Sequence, residues 1–178
     1  MDELEGIASR VAALLVARKE TVAVCESSTG GLIAAALLAL PGASRYFLGA
    51  AVVYTAASRR GLMGITDDDM RSIRPASEPY ARLLASTVRR RLEASWGLAE
   101  TGATGPTGNR YGDAAGHSCL AVSGATGEVR TLETGSSDRR ANMRAFAIAA
   151  LSLLAHALEG ASQGIGLRMA SRTARFSR

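Results

Sequence analysis

Three hydroxyl side chains stand together where a short apolar segment gives way to a helical pattern. Residues 21–33 predict a strand, a tight turn and the start of a helix, with Ser27, Ser28 and Thr29 in the turn. The first backbone N–H groups of a helix have no partner within it, and the helix dipole makes this end positive. The turn is therefore a candidate site for a phosphate or carboxylate group. The simpler alternative is that one hydroxyl only caps the helix, which contributes about 1 kcal/mol.

A glycine-rich loop at residues 102–109 is the second candidate for ligand contact. It follows a predicted strand at residues 96–101. Glycine permits turns whose successive N–H groups form a concave anion site, although such a loop is a weak signal by itself. Ligands of open α/β sheets bind at the carboxyl ends of the strands, where both candidate segments are expected to lie. Together the two segments predict one ligand site.

Other residues that could carry chemistry are assigned structural roles. The three aspartates at residues 67–69 are interpreted as stabilising the first turn of a helix rather than as metal ligands, since adjacent residues on a helix point in different directions. His117 and His156 are isolated from each other and from acidic residues. Cys25 and Cys119 lie in apolar runs without metal-site or redox spacing, so both are expected to be reduced core residues. We predict no metal and no organic cofactor.

The elements that position these residues alternate between helical and strand patterns. Their order is helix, strand, helix, strand, two helices, three strands and a final helix that begins after Asp138 and ends near Gly160. This order predicts an α/β fold, a three-layer α/β/α sandwich with a mixed central sheet. Residues 47–54 contain few polar side chains, so we expect them to form a central strand covered on both faces.

Composition and charge limit the function classes. The chain has 178 residues, 47% of them hydrophobic, which suits one domain over residues 1–160. Its net charge is +5, but residues 161–178 contain four arginines and no acid, so the remainder carries only +1. We interpret this basic segment as a flexible, solvated tail; a nucleic-acid partner would have to bind there.

Features of a secreted or membrane-spanning protein are not apparent in the sequence. No apolar run reaches the roughly 20 residues that span a bilayer, and residues 1–5 are acidic where a secretory signal would be basic. We expect a cytoplasmic protein without a membrane partner. The apolar helix faces are compatible with a homo-oligomer.

Several motifs resemble those of one family, the CinA C-terminal domain, also known as nicotinamide-nucleotide amidohydrolase or NMN deamidase. Residues 26–31 read Glu-Ser-Ser-Thr-Gly-Gly and are similar to the family's Glu-Ser-Cys-Thr-Gly-Gly motif. Further matches lie at residues 41–49, 76–78 and 101–106, and at Asp138–Arg139 with Arg144. The resemblance implies the CinA C-terminal fold and hydrolysis of the carboxamide of NMN to nicotinic acid mononucleotide and ammonia, with a small-molecule nucleotide as partner and no cofactor.

The resemblance also implies roles for individual residues. Ser27 matches the family nucleophile, and Tyr54 precedes the position of the family's basic lysine, where this chain has Arg59. Arginine does not deprotonate in proteins, so Arg59 can pair with an anion but cannot accept the proton of Ser27. Lys19 lies before the first strand, roughly 16 Å from Ser27, too far for a hydrogen bond. The implied substrate-binding residues are Glu26, Ser28, Thr29, Gly30, Gly31, Thr101, Gly102, Gly105, Pro106 and Arg139.

Other departures from the family pattern leave two functional hypotheses. Ala56 replaces an asparagine, Ser28 a cysteine, Glu100 an apolar residue and Asp113 a lysine. Glu100 is either a structural carboxylate or a surrogate base for Ser27, which requires both side chains to face one pocket. The first hypothesis is an NMN amidohydrolase. The alternative is a catalytically weak or inactive paralogue that binds a nucleotide or acts as a scaffold.

Overall fold

The structure, a computed structural model, describes residues 2–173, and for residues 162–173 only the backbone. Five strands form one sheet in the order β2-β1-β3-β4-β5. The elements are α1 (Glu3–Arg18), β1 (Val22–Glu26), α2 (Leu32–Leu38), a short 3₁₀ turn (Ala43–Arg45), β2 (Phe47–Val52), α3 (Ala56–Met63), α4 (Glu78–Arg91), β3 (Trp96–Ala103), β4 (His117–Ser123), β5 (Gly127–Glu133) and α5 (Arg139–Thr173).

The sheet is mixed, as the sequence predicts. β1 pairs in parallel with both β2 and β3, whereas β4 and β5 continue the sheet in antiparallel orientation. The parallel register places Cys25 opposite Ala99, so the next residues, Glu26 and Glu100, lie side by side. The carboxyl ends of β1 and β3 therefore meet at one edge, where the sequence places the two candidate loops.

Two apolar cores cover the two faces of the sheet, because successive strand residues point to opposite faces. Val24 and Leu98 pack with α1, α2 and α5, and Ala23 and Ala99 pack with α4 and the end of α3. The three-layer α/β/α arrangement is confirmed. Helix α4 approaches β3 very closely: a Cβ atom at Gly97 would lie 2.0 Å from the Ala85 carbonyl oxygen.

The prediction of a buried central strand at residues 47–54 is wrong. β2 is an edge strand whose side chains alternate between half-buried and exposed, and Leu48 and Val52 are 43% and 40% exposed. Interior positions belong to β1, β3 and β4, whose residues are almost all buried. The apolar composition of β2 suggests burial. The place of a strand in the sheet, however, depends on contacts between residues far apart in the chain, which the local sequence does not contain.

Two further features differ from the predictions, the end of α5 and the place of the three aspartates. Helix α5 does not end near Gly160 but continues to Thr173, because a glycine inside a helix costs only about 1 kcal/mol. Residues 174–178 of the predicted basic tail lie outside the described residues. The aspartates at 67–69 occupy turns rather than a helix start, and Asp69 accepts hydrogen bonds from Thr66.

Helix α5 contains, within the residues searched, the one segment long and apolar enough to cross a membrane, Arg139–Ala161. In its most apolar window, 56% of the residues are buried inside the fold. The buried part of this segment packs against α1 and the sheet.

Candidate active site

The turn between β1 and α2 is held by a carboxylate of the protein itself. Glu26, the last residue of β1, is fully buried and accepts hydrogen bonds from the backbone amides of Gly31, Ile33 and Ala34 at 2.8–3.1 Å. It also accepts a hydrogen bond from the Thr29 hydroxyl at 2.8 Å. The Glu26 carboxylate therefore occupies the positive end of α2.

A second buried carboxyl group holds the same turn from the β3 side. The Oε2 atom of Glu100 lies 3.1 Å from the backbone nitrogen of Ser27 and 2.9 Å from that of Thr29. Its Oε1 atom contacts the hydroxyls of Ser28 and Ser118. Burial raises the pKa of Glu100, and the hydrogen bonds from Ser28, Thr29 and Ser27 oppose this shift only in part.

These contacts contradict the expectation of free amides at the turn. The amides of residues 27, 29, 31, 33 and 34 donate to Glu26 or Glu100, and those of residues 30 and 32 donate to carbonyls of the turn. Within residues 27–34, only the Ser28 amide makes no hydrogen bond to the described part of the chain. The turn is not a phosphate cradle, and none of its three hydroxyl residues is the N-cap, which is Gly31.

A cavity of about 640 Å³ lies beside the turn, on the face of the sheet covered by α4. No carboxylate lines it, but two arginines and three of the chain's four tyrosines do. Such a pocket suits an aromatic, anionic small molecule. The lining residues are Ser27, Val53, Tyr54, Thr55, Ala56, Arg59, Met70, Ile73, Pro75, Ala76, Tyr80, Thr101, Gly102, Asn109, Arg110 and Tyr111.

Arg59, at the position of the family lysine, is held by neighbouring protein groups. It is 6% exposed, its Nε atom donates to the Ile65 carbonyl at 3.2 Å, and its Nη2 atom pairs with Asp67. Desolvation alone would raise the pKa of Asp67, but the neighbouring Arg60 and Arg59 lower it, so Asp67 stays ionised as their partner. In the described structure no base is hydrogen-bonded to the Ser27 hydroxyl.

Glu100 does not supply the missing base. Alternation along β3 places Glu100 on the same face as Leu98, toward α1, α2 and α5, whereas the cavity lies on the other face. Glu100 contacts the backbone nitrogen of Ser27 and does not line the cavity. The condition for a surrogate base, that both side chains face one pocket, is not met.

Three predicted residues meet at the rim of the cavity. Arg139, at the start of α5, donates to the Gly105 carbonyl at 2.6 Å and to the Tyr54 hydroxyl at 3.2 Å. One turn later, the buried Asn142 side chain donates to the carbonyls of Thr104 and Ser136 at 2.9 and 2.8 Å. The start of α5 thus fixes the loop that follows β3. Sequence reasoning missed Asn142, although an amide among the apolar residues of this helix was an available signal.

Asp113, another departure from the family pattern, belongs to a polar network behind the cavity wall. Its carboxylate accepts hydrogen bonds from Arg74 at 2.6 and 2.9 Å and from Asn109 at 2.8 Å. His117 lies next to it, with Nδ1 against Glu133 and Nε2 3.0 Å from the Ala76 carbonyl. The prediction that His117 is isolated from acidic residues is wrong, because the pairing of β4 with β5 places Glu133 opposite it. Burial alone would lower the pKa of His117, but these acceptors and Asp113 together raise it.

The structure brings together only part of the predicted site. Ser27, Tyr54, Arg59, Thr101 and Gly102 line the cavity. The other predicted residues do not line the cavity; they are Glu26, Ser28, Thr29, Gly30, Gly31, Gly105, Pro106 and Arg139. Asn109, from the predicted loop 102–109, also lines the cavity. Among the lining residues that the sequence did not single out are Tyr80, Arg110 and Tyr111. In the described residues no group of three or more histidine, cysteine, aspartate or glutamate side chains could hold a metal ion.

Close packing between strands requires a glycine at position 102, independently of its place in the cavity wall. A Cβ atom there would lie 2.4 Å from the His117 carbonyl oxygen, on the neighbouring strand. Its glycine is therefore needed for the pairing of β3 with β4, whatever the ligand.

Comparison with known proteins places this architecture in a family. The model of the CinA C-terminal domain matches residues 4–158. A CinA-like protein of Gloeobacter violaceus is 46% identical over 129 residues, which is 72% of this chain and 30% of that protein. A CinA-like protein of Prochlorococcus marinus is 42% identical over 123 residues, 69% of this chain and 29% of that protein. The chain thus spans about a third of the length of these curated relatives.

Solved structures agree in fold. A competence/damage inducible protein from Agrobacterium tumefaciens superposes with a TM-score of 0.80 at 28% identity, covering 89% of this chain and 97% of that one. A CinA superfamily protein from Klebsiella pneumoniae gives a TM-score of 0.83 at 22% identity, covering 90% and 99%, a likeness that concerns the fold alone. From the match over residues 4–158 and these relatives, the chain belongs to the CinA C-terminal domain family.

Proposed function

We propose that this chain binds NMN or a similar pyridine nucleotide in the cavity beside Ser27, and hydrolyses its carboxamide to nicotinic acid mononucleotide and ammonia. The observation that carries the proposal is the lining of the cavity, which combines the Ser27 hydroxyl, three tyrosine rings and two arginines and contains no carboxylate. A ring and an anionic phosphate fit this lining, and the volume of about 640 Å³ is in the range of small-molecule sites.

The phosphate is assigned to Arg110. The amides of the Ser27 turn are already used by Glu26 and Glu100, and Arg59 is paired with Asp67. Arg110 lies on the cavity wall, is exposed, and makes no hydrogen bond or ion pair with the described residues. Arginine binds phosphate oxygens with two parallel N–H groups, so it is the available phosphate contact.

The chemistry would take place at Ser27. Its Oγ atom attacks the carboxamide carbon, and the Ser28 amide, the one amide of the turn without a described partner, donates to the developing oxyanion. The hydroxyl proton ends on the departing nitrogen, which leaves as ammonia, and water then hydrolyses the acyl-serine. No lysine, histidine or carboxylate lines the cavity to carry that proton, so the rate lacks the 10²- to 10⁴-fold contribution of a general base.

A second candidate is a nucleotide-binding paralogue without turnover. The pairing of Arg59 with Asp67 favours it, because the position of the family base holds a cation that is committed to a structural contact. Such a protein keeps the pocket and the affinity but loses the reaction.

Two measurements on wild type and Ser27→Ala separate these candidates: NMN binding by isothermal titration calorimetry and ammonia release in a coupled assay. The amidohydrolase predicts equal binding by both proteins and ammonia release by wild type only. Binding without release above the Ser27→Ala level would leave the second candidate. Absence of binding by either protein would contradict both.

A further inference from the structure

Two buried carboxyl groups beneath Ser27 compete for a single hydrogen. The Thr29 hydroxyl oxygen lies 2.8 Å from Oε2 of Glu26 and 2.9 Å from Oε2 of Glu100. A threonine hydroxyl has one hydrogen, and an ionised carboxylate has none to donate. Thr29 can therefore donate to only one of the two carboxyl groups. The other carboxyl group is then left without this donor.

The surroundings disfavour two negative charges at this place. Glu26 and Glu100 are each 0% exposed and lie side by side on adjacent parallel strands. Neither forms an ion pair with a cation in the described part of the chain. The other titratable group nearby is the Cys25 thiol, whose pKa is raised to about 12 by burial and then by the two carboxyl groups, so it stays neutral. Two unpaired charges in such a site are costly, and carboxyl groups that share a site retain a proton.

The partners of each group decide where the proton resides. Glu26 faces three backbone amides and the positive end of α2, all of which favour a negative charge. Glu100 faces two amides through Oε2, but its Oε1 atom meets two serine hydroxyls, of Ser28 and Ser118. Hydroxyls can accept as well as donate, so a proton on Oε1 of Glu100 has an acceptor. A proton on either oxygen of Glu26 would instead lie beside a backbone amide donor.

We infer that Glu26 and Glu100 hold one proton between them at neutral pH, that it resides on Glu100, and that neutral Glu100 is the positioning residue for the Ser27 turn. It acts through the Ser27 and Thr29 amides, from the face of the sheet opposite the cavity. Burial, which raises the pKa of Glu100, agrees with this assignment. The inference does not depend on the proposed function, since it concerns the turn and not the substrate.

The matched variants Glu100→Gln and Glu26→Gln test the assignment in urea unfolding at pH 7. Glutamine mimics a protonated glutamate: at position 100 its carbonyl accepts from the two amides and its NH₂ group donates to the serine hydroxyls. At position 26 the NH₂ group would instead face a backbone amide donor. We expect Glu100→Gln to raise the urea midpoint, because unfolded wild type is stabilised by ionisation of Glu100 at pH 7 and the unfolded glutamine variant is not. Glu26→Gln should lower the midpoint. Glu100→Leu, which leaves both amides unpaired, should have a lower midpoint than Glu100→Gln.

The pH dependence of unfolding provides a second readout that packing alone does not change. Glu100 keeps its proton in the folded state and releases it in the unfolded state above a pKa of about 4.3. Its raised pKa therefore stabilises the fold most at low pH, and the unfolding equilibrium constant rises tenfold per pH unit until the folded group also ionises. Glu100→Gln should remove this slope between pH 5 and 7, and the contribution of His117, common to both proteins, cancels in the difference.

Three results would overturn the inference. If Glu100→Gln is destabilised as much as Glu26→Gln, both groups are ionised. If Glu26→Gln is tolerated and Glu100→Gln is not, the proton resides on Glu26. If wild type and Glu100→Gln show the same pH slope, the pair holds no proton. Failure to bind NMN, in contrast, would affect only the proposed function.

Discussion

Replacing Arg59 by lysine tests what limits the reaction at Ser27. Lysine ends one bond earlier than arginine, so its amine falls about 1.3 Å short of the Nη2 position that pairs with Asp67. The amine would remain in a site where the Arg59 side chain is 7% exposed, and such burial lowers the pKa of a lysine toward neutrality. The exposed Asp67 still attracts the amine, so Asp67→Asn is added to release it.

The expected gain follows from what a general base contributes. With the amine deprotonated beside the cavity, ammonia release from NMN by Arg59→Lys/Asp67→Asn should exceed that of Arg59→Met/Asp67→Asn about 100-fold or more. The rate should rise with pH as the amine loses its proton, because only the neutral form accepts the proton of Ser27. Addition of Ser27→Ala should return the rate to background.

The control variants determine what a negative result means. Arg59→Met/Asp67→Asn lacks the cation and the base but keeps the bulk of the side chain, and NMN binding by calorimetry reports whether the pocket survives. Equal rates of the lysine and methionine variants, with NMN binding retained in both, would refute the argument that a missing base limits the reaction.

Three further predictions concern the pocket and its framework. Arg110→Met should weaken NMN binding about tenfold and leave nicotinamide riboside, which lacks the phosphate, unaffected in calorimetry; equal losses for both ligands would exclude a phosphate contact. His117 has a raised pKa in the fold, so its contribution to stability is present below pH 6.5 and lost as pH rises through the folded pKa; Glu133→Gln should flatten this loss in urea titrations between pH 6 and 9, and an unchanged profile would contradict the role of Glu133. Gly97→Ala should lower the free energy of unfolding by about 3 kcal/mol because its Cβ would collide with the Ala85 carbonyl, whereas Gly160→Ala, with open space around it, should raise it by about 0.5 kcal/mol; equal effects would refute the steric argument.

The sequence was sufficient to predict the helices and most strands. It was insufficient to predict which residues contact each other around the Ser27 turn. Strands and helices follow from local periodicity, and the Ser77 and Asp138 caps were readable in the same way. The Glu100 contacts with the Ser27 turn depend on the register of two strands more than seventy residues apart, which no local pattern contains. Glu26 was interpreted as a substrate contact because the sequence does not show that its carboxylate reaches the amides of α2.

The Arg59 contact was missed for a similar reason. Asp67 lies only eight residues later, but the chain must turn back after α3 for the two side chains to meet. The three aspartates were instead assigned to a helix start, since adjacent acids before a helix are common. The short separation of Arg59 and Asp67 in the sequence was a local signal for the ion pair. The run of three aspartates favoured a helix start more strongly.

The dual role of α5 connects the cavity to the core of the fold. Its first turn holds the loop after β3 through Arg139 and Asn142, and its continuation carries core residues such as Phe146 and Leu154. The loop can leave the cavity rim only if the Arg139 and Asn142 side chains release it. Local opening of the loop and fraying of the first turn of α5 are therefore linked events. A ligand that orders the loop should therefore slow amide hydrogen exchange in the first turn of α5, at residues that do not line the cavity.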